Sequence, residues 1–345
     1  MSGRGDKIPV DLLTGFLGSG KTTLLARLLA SPAFADAAVL INEFGMVGLD
    51  HLLVEAVDPD TLLLSSGCIC CTIRDDLATA LRELWAKRER GQVPPFRRVV
   101  IETTGLADPT PIVAIVGVDP MLRWHFRIGR VIATVDAVAG RATLARHDES
   151  RRQAAIADRL VVTKADLAEA TELSALEGVL REINPAAPIA RAVAGELPDA
   201  AAFLDAPADE REVRRWLAHV PAGPRHGQIG SFVLAQDEPI EWAAFGVWLS
   251  LLLHRHGDRI LRVKGLVHTT DHPSPVVLQG VQHVVYPPSH LPAWPDGQVG
   301  TRLVFIGQDL DPVLIRRSFH SFQRLGRAAA GGPAGSDRLV NPATA

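Results

Sequence analysis

The segment with the clearest chemistry is G-F-L-G-S-G-K-T at residues 15–22, which has the G-x-x-x-x-G-K-[ST] spacing of a phosphate-binding loop. It follows an apolar stretch at 8–13 and precedes a helix-like stretch at 22–30. In such a setting backbone N–H groups and the helix N-terminus cradle phosphates, Lys21 reaches the β and γ oxygens, and the Thr22 hydroxyl ligates Mg²⁺. A plain glycine-rich turn would need neither side chain, so the sequence predicts that the chain binds a nucleoside triphosphate. The predicted loop residues are Gly15, Gly18, Ser19, Gly20, Lys21, Thr22 and Thr23.

A second polar segment, E-T-T-G at 102–105, follows an apolar run and fits the same site. An acidic residue with a glycine three positions later is typical of a Walker B and γ-phosphate-sensing segment. There the Glu102 carboxylate would hold Mg²⁺, together with Thr22, and the Gly105 N–H would read the γ-phosphate. The predicted catalytic residues are therefore Lys21, Glu102 and Gly105.

A third segment, T-K-A-D at 163–166, fits the guanine-reading pattern [NT]-K-x-D. In that pattern the Asp166 carboxylate accepts hydrogen bonds from guanine N1–H and the 2-amino group. Adenine has no such pair of donors, so ATP would leave a carboxylate unpaired. An aspartate that caps a helix after a strand is the competing interpretation of this segment alone. In order with the other two motifs, GTP is favoured, and the predicted base-binding residues are Thr163, Lys164 and Asp166.

All three cysteines lie within C-I-C-C at 68–71. Clustered thiols cannot build a disulfide framework, and the spacing differs from the paired C-x-x-C knuckles of structural zinc sites. Residues 72–75 resemble a helix N-terminus, where thiols ionise more readily, and thiolates prefer Zn²⁺ or Cu⁺ to Mg²⁺. The alternative is three small buried side chains. The cluster predicts an open transition-metal site at Cys68, Cys70 and Cys71, suited to delivery rather than storage.

The elements that must position these residues alternate between strand-like and helix-like segments, which is typical of a parallel sheet covered on both faces. Ligands of such a sheet bind at the carboxyl ends of the strands, where the polar motifs fall. The strand-like runs are 39–41, 62–64, 99–101, 131–135 and 160–162. The helix-like stretches are 22–30, 75–87, 110–116, 148–157 and 171–183.

The pattern changes in the C-terminal part of the chain, and we predict an α/β P-loop GTPase domain with a mostly parallel sheet, followed by a smaller α+β domain. The expected bounds are 1–224 for the first domain, with an edge or linker at 198–224 rich in Pro and Ala, and 225–326 for the second. The Ala- and Gly-rich segment 327–345 is expected to be disordered. Strand-like segments of the second domain are 229–235, 260–267, 276–285 and 301–306, and helix-like ones are 241–253 and 312–322.

Composition limits the classes of partner. A formal net charge of −3 provides no electrostatic footprint for nucleic acid. The longest apolar run, at 243–253, is too short to span a bilayer, and residues 1–7 do not resemble a signal peptide. We therefore expect a cytoplasmic protein with no nucleic-acid or membrane partner. The histidines of the second domain are scattered and do not match metal-ligand spacing.

The set T-G-F-L-G-S-G-K-T-T, N-E-F-G, G-C-I-C-C, E-T-T-G-L-A-D-P and T-K-A-D, in this order, resembles the CobW-type family of metallochaperone GTPases. The family includes YjiA-like proteins and zinc-regulated GTPase metalloprotein activators. The resemblance implies that the cysteine element binds the transferred metal between the nucleotide switches. It also implies that Glu43, within N-E-F-G at 42–45, contributes to Mg²⁺ or metal coordination. Many YjiA-like members have glutamate where this chain has Met46, which counts against an auxiliary metal site that would use that carboxylate. CobW proper often has a histidine-rich insertion between the domains, and its absence here counts against a dedicated cobalt role.

Two classes of function follow. In the first, a GTPase with a slow intrinsic rate couples its nucleotide state to delivery of a metal, Zn²⁺ before Co²⁺, to a client apo-metalloprotein. In the second, the protein is a small-molecule kinase or ATP-dependent ligase with structural cysteines. A third interpretation is a metal sensor that delivers nothing. A homodimer is compatible with each of them.

Overall fold

The computed structural model describes residues 7–31, 34, 36–42, 63–65, 73–198, 200, 229–295, 297 and 299–330. These residues form two sheets, one for each part of the chain that the sequence pattern separates. The first sheet has seven strands in the order β3-β2-β4-β1-β5-β6-β7, and every neighbouring pair is parallel. The strands are β1 Ile8–Gly15, β2 Ala37–Asn42, β3 Leu63–Ser65, β4 Arg98–Thr103, β5 Phe126–Asp136, β6 Arg159–Thr163 and β7 Ile189–Arg191.

Helices cover both faces of the first sheet. Neighbouring residues of a strand point to opposite faces, so Leu12 packs in one core and Leu13 in the other. The Leu13 side is covered by α1, and the Leu12 side by α2, α3, α6 and α7. The helices are α1 Lys21–Leu29, α2 Ile73–Glu89, α3 Thr110–Val118, α4 Pro120–His125, α5 Gly140–Arg146, α6 Asp148–Ile156 and α7 Ala170–Ile183. The predicted α/β fold with a parallel sheet is confirmed.

The second sheet is antiparallel throughout and has six strands, in the order β11-β10-β9-β13-β8 with β12 also paired to β10. Two long helices, α8 Trp242–His256 and α9 Pro312–Ala330, pack against each other and against this sheet. The predicted α+β character of the second part is therefore confirmed. The strands are β8 Ile229–Gln236, β9 Ile260–Val267, β10 Val276–Val281, β11 Val284–Val285, β12 Ser289–His290 and β13 Thr301–Gln308.

The second sheet is buried on both faces. Along β13, Leu303 and Phe305 pack with α8 and α9, while Val304 and Ile306 join the core that also holds the helices of the first sheet. Helix α6 contacts β8, β9 and β13 of the second sheet as well as β1 and β5 of the first. One apolar core thus joins the two parts of the chain.

A buried ionic group, which we call the junction cluster, lies in the same contact and consists of Asp158, Arg262 and Lys264. Asp158 precedes β6 of the first sheet, and the two cations lie on β9 of the second. Arg262 donates a hydrogen bond to Asp158 Oδ1, and Lys264 Nζ lies 3.8 Å from the same oxygen. The three side chains are at most 2 % exposed. Burial opposes ionisation of Asp158, but the charges of Arg262, Lys264 and Arg130 outweigh it and hold its pKa well below the usual value.

In the C-terminal part of the chain, two of the predicted segments differ from the structure. The apolar run 276–285, predicted as one strand, is a tight hairpin in which Val281 pairs with Val284. Gln282 makes the turn with a φ of 46°. Such a turn is predictable when glycine or asparagine occupies this position, but glutamine gives no such signal. Helix α9 continues to Ala330, four residues into the segment that composition predicts to be disordered. Among the described residues, no helix is long and apolar enough to cross a membrane.

Candidate functional site

The phosphate-binding loop lies between the end of β1 at Gly15 and the start of α1 at Lys21. Gly20 caps the helix with a φ of 82°, a left-handed conformation that favours glycine. Gly15 lies against β5, where an added Cβ would meet Thr134 Oγ1 at 2.2 Å. The Ser19 hydroxyl is 2.7 Å from the same Thr134 oxygen. The loop is therefore fixed to the sheet by the glycine spacing that the motif requires.

Lys21 turns back over the loop that precedes it. Its Nζ donates to the carbonyl oxygens of Gly15 at 2.9 Å and Phe16 at 3.1 Å, and the side chain is only 9 % exposed. The ammonium group thus lies inside the curve of the loop. This position suits a cation that neutralises phosphate oxygens held by the loop N–H groups.

Thr22 and Glu102 are 80 positions apart in the sequence and meet at the carboxyl ends of β1 and β4. The Thr22 hydroxyl donates to Glu102 Oε1 at 2.7 Å, and Glu102 is 5 % exposed. A hydroxyl and a carboxylate are oxygen donors of the type that Mg²⁺ takes in triphosphate sites. The donor set therefore fits the cation that the sequence predicts. The assignment of these two residues as Mg²⁺ ligands stays a prediction.

Gly105 packs edge-on against the phosphate loop. A Cβ at this position would lie 2.5 Å from the backbone N of Leu17, so no other residue fits without moving the loop. The segment that begins at Glu102 is held from the other side by Gln153 of α6, which the sequence analysis missed. Gln153 Nε2 donates to the carbonyl oxygens of Gly105 at 3.1 Å and Ala107 at 3.0 Å.

The T-K-A-D segment braces the same loop. Thr163 Oγ1 donates to the Ser19 carbonyl at 2.7 Å, and Lys164 Nζ donates to the Gly18 carbonyl at 2.9 Å. Lys164 also pairs with Asp136 at 2.5 Å, a residue at the carboxyl end of β5 that the sequence analysis missed. Burial opposes ionisation of Asp136, but the hydrogen bond from Lys164 and two backbone N–H groups outweigh it, so its pKa is lowered. The rule that identified Glu102, an acidic residue ending a parallel strand, would have found Asp136.

Asp166 follows Lys164 and lies exposed at the rim of the site. Its Oδ1 is 3.4 Å from the backbone N of Ala194, which belongs to a tight turn after β7 where Ala194 and Gly195 have φ values of 50° and 80°. This turn was not predicted from the sequence. An exposed carboxylate beside a fixed turn can accept hydrogen bonds from a planar base entering from solvent.

Comparison with known proteins identifies the family. The family model for the CobW/HypB/UreG nucleotide-binding domain matches residues 9–191, and the model for the cobalamin synthesis protein cobW C-terminal domain matches residues 229–323. The chain belongs to the CobW/HypB/UreG family. The resemblance that the motifs predict is thereby confirmed, and the loop at 15–22 belongs to a nucleotide-binding domain.

Relatives with established names match this CobW-type chain over most of its length. The zinc chaperone YjiA of Escherichia coli (strain K12) is 32 % identical over 320 residues, which cover 92 % of this chain and 99 % of YjiA. The zinc chaperone CobW of Pseudomonas aeruginosa is 33 % identical over 353 residues, 90 % of each chain. The crystal structure of Zn(II)-bound YjiA GTPase from E. coli superposes with a TM-score of 0.69 at 28 % identity, covering 92 % of this chain and 99 % of that one.

The metal ligands expected from the CobW-type resemblance cannot be placed. Cys68, Cys70, Cys71 and Glu43 lie outside the described residues, so their assignment stays a prediction. Within the described ranges, no group of three or more His, Cys, Asp or Glu residues is arranged to hold a metal ion.

Proposed function

We propose that this protein is a GTPase that binds a transition metal, zinc in the first place, and delivers it to a client metalloprotein. The observation that carries the proposal is that the two other nucleotide-binding motifs lie against the phosphate loop. The phosphate loop, Glu102–Gly105 and Thr163–Asp166 meet at one edge of the parallel sheet. The relatives named zinc chaperones and the Zn(II)-bound YjiA GTPase supply the metal half of the proposal.

The chain's own residues bind and orient the triphosphate. The N–H groups of the loop and the Lys21 ammonium would hold the phosphate oxygens, and the Gly105 N–H would read the γ-phosphate. Thr22 and Glu102 would hold Mg²⁺, which when bound neutralises charge on the β and γ oxygens. Leu106 follows Gly105 where a glutamine would orient the attacking water, so hydrolysis by the isolated protein should be slow.

Guanine selection is assigned to Asp166. We expect GTP to bind at least about tenfold more tightly than ATP, because ATP leaves a polar reading site without its donors. Asp166→Asn should reduce this preference and leave the affinity for inorganic triphosphate unchanged. Competition of GTP, ATP and inorganic triphosphate against a fluorescent guanine nucleotide measures both quantities. The matched control is Glu169→Gln, which changes an exposed carboxylate three residues away. Equal affinity of the wild type for GTP and ATP would refute the assignment.

Metal binding is assigned to Cys68, Cys70 and Cys71. We expect one Zn²⁺ per chain, with Co²⁺ the second choice. The affinity should be higher with Mg²⁺-GTP than with GDP, because a site between nucleotide switches is assembled in one state only. By reciprocity, the metal must then favour GTP over GDP by the same factor. Cys70→Ser or Cys71→Ser should abolish this coupling and leave nucleotide binding intact.

The decisive experiment titrates a chromogenic zinc chelator against the protein with GTP, with GDP and without nucleotide. A nucleotide-dependent affinity supports coupling, and equal affinities in all three states would refute delivery driven by GTP. Delivery itself needs a transfer assay in which an apo-metalloprotein gains activity only with the loaded protein. A loaded protein that never activates a client would instead indicate a sensor.

A further inference from the structure

One helix contacts the parts of the molecule that a nucleotide switch would have to connect. Helix α6, residues Asp148–Ile156, begins beside the phosphate loop, where the ring of its capping residue His147 lies 4.5 Å from the ring of Phe16. It then passes the segment that follows Glu102. It also contacts strands β8, β9 and β13 of the second sheet.

Gln153 attaches α6 to the segment that would read the γ-phosphate. Its side chain is 2 % exposed and donates to Gly105 and Ala107, so the carbonyl oxygens on both sides of Leu106 are fixed by one amide. A buried carbonyl that loses such a donor costs free energy. A shift of Gly105 must therefore either move Gln153 with it or break these two bonds.

Arg152, the preceding residue, attaches α6 to the second sheet. Its Nη2 donates to Gln308 Oε1 at the end of β13, 3.2 Å away. Its Nη1 lies 3.7 Å from Asp108 Oδ2, three residues after Gly105. One guanidinium therefore spans the γ-phosphate-reading segment and the C-terminal sheet.

The C-terminal end of α6 is fixed. The Asn184 amide donates to the carbonyl oxygens of Ala154, Ala155 and Ala157, and Arg262 of the junction cluster donates to the Ile156 carbonyl. Buried hydrogen bonds hold this end of the helix. A displacement of the Glu102–Asp108 segment would therefore act on the exposed flank of α6, where Arg152 lies. The packed helix behaves as one rigid element rather than as a flexible tether.

We propose that α6 couples the conformation of the Glu102–Asp108 segment, which depends on the bound nucleotide, to the C-terminal sheet. In this coupling Gln153 positions Gly105, and Arg152 joins Asp108 to Gln308. The inference rests on the proposed function, because it needs a guanine nucleotide at the site. It goes beyond that function, because the C-terminal sheet becomes a surface whose state reports the bound nucleotide. In thermodynamic terms, Gln308 must then influence the relative affinities for GTP and GDP although it lies in the other sheet.

A double-mutant cycle on the full chain tests the coupling. The measured quantity is the ratio of the dissociation constants for GDP and for Mg²⁺-GTPγS. Arg152→Ala and Gln308→Ala should each change this ratio by about fivefold in the same direction, at the lower end of known couplings because the contact is half-exposed. The double variant should show no further change, since both substitutions break one link.

Matched controls lie on the same elements. Arg151 neighbours Arg152 on α6 and donates to the Leu144 carbonyl. Gln236 is the last residue of β8 and pairs with Thr301, at the opposite end of β13 from Gln308. Its side chain donates to the Glu238 carbonyl. Arg151→Ala and Gln236→Ala should leave the ratio unchanged. Gln153→Ala should weaken the binding of GTPγS more than the binding of GDP, since GDP has no γ-phosphate for Gly105 to read.

The outcomes separate the two proposals. If the wild type binds no guanine nucleotide, the proposed function fails and the coupling fails with it. If the wild type binds both nucleotides, but the ratio is the same in Arg152→Ala and Gln308→Ala, or their effects add in the double variant, the coupling alone is refuted. The cycle does not depend on Gln153→Ala, so a folding defect in that buried variant leaves the test intact.

Discussion

Replacing Asp158 by asparagine tests how the two sheets are held together. The substitution keeps the size of the side chain and removes the only negative charge of the junction cluster. Arg262 and Lys264, which lie two positions apart on β9, then remain buried without that charge. The variant should fold less stably, and nucleotide contacts at the opposite end of β6 should be unaffected.

The magnitude follows from burial. Breaking a fully buried ion pair by removing one partner costs about 3–5 kcal/mol, because the remaining charge stays desolvated. The three side chains are at most 2 % exposed, so no reduction for solvent screening applies. The exposed pair of Asp237 and Arg302, in which Asp237 is 82 % exposed, provides the contrast. Asp237→Asn should cost at most about 1 kcal/mol.

The dependence on pH has a definite sign. The pKa of Asp158 is lowered in the folded protein, so its contribution to stability is present above the pKa of the unfolded chain, about 3.9. It is lost as the pH falls below that value, because only the unfolded chain then takes up the proton. The difference in unfolding free energy between wild type and Asp158→Asn should be constant from pH 7 to 5. It should begin to narrow near the unfolded pKa of about 3.9 and approach a slope of about 1.4 kcal/mol per pH unit below it.

Urea unfolding followed by circular dichroism and by tryptophan fluorescence measures the effect, provided that the two transitions coincide. With a slope of about 3 kcal/mol per molar, the midpoint of Asp158→Asn should fall by about 1 M or more at pH 7. A loss below about 1 kcal/mol would show that the buried pair contributes no more than a surface pair. A gap that stays the same from pH 5 to 3 would refute the lowered pKa of Asp158.

Two further substitutions test the nucleotide site. Glu102→Gln keeps an oxygen for the Thr22 hydroxyl but removes the charge that balances Mg²⁺, so the rate of single-turnover GTP hydrolysis should fall by about 10²-fold. The control Thr22→Ser should retain activity. Unchanged hydrolysis in Glu102→Gln would show that Glu102 does not act in this reaction. Gly105→Ala places a methyl group 2.5 Å from the backbone N of Leu17 and therefore displaces the phosphate loop. Calorimetry should show weaker binding of both nucleotides, with the larger loss for GTPγS, which also loses the contact of Gly105 with its γ-phosphate. An equal loss for both nucleotides would mean that Gly105 supports the loop and does not read the γ-phosphate.

The parallel sheet was predictable from sequence because its strands are buried on both faces and read as continuous apolar runs. Its strand β7 was not predicted at all, and β5 begins at Phe126, five residues before the predicted run. The early part contains Arg127 and Gly129, which are atypical of a buried strand. The structure explains both the glycine and a register shift in the pairing of β1 with β5, where Val10 pairs with Ile128 and Leu12 with Val131. Asp11 accepts a hydrogen bond from the Arg130 N–H at 2.7 Å, and a Cβ on Gly129 would meet Asp11 Oδ1 at 2.1 Å.

The second sheet misleads in the opposite way. Along β9 the sequence I-L-R-V-K-G-L-V places Arg262 and Lys264 at alternate positions, a pattern that normally indicates a strand with one wet face. The structure buries that face against the first sheet. The partner that makes this tolerable, Asp158, is 104 residues away from Arg262, so no local pattern reveals it.

The site shows the same division between local and distant information. Lys21, Thr22 and Glu102 are recognisable because they fall in motifs whose spacing is set by a ligand, and a ligand of fixed shape imposes a fixed spacing on the residues around it. Gln153 acts on the backbone of another segment, and any carbonyl at the right distance would serve, so its chemistry imposes no motif. What the sequence does contain is a long polar side chain between Ser150, Ala154 and Ile156, on the face of α6 that the apolar residues mark as buried. A buried amide must find partners, and in a nucleotide-binding sheet the nearest unsatisfied carbonyls belong to the loops at the carboxyl ends of the strands. Polar residues on the inner face of a helix beside those ends are therefore the positions to search for residues that hold a switch segment in place.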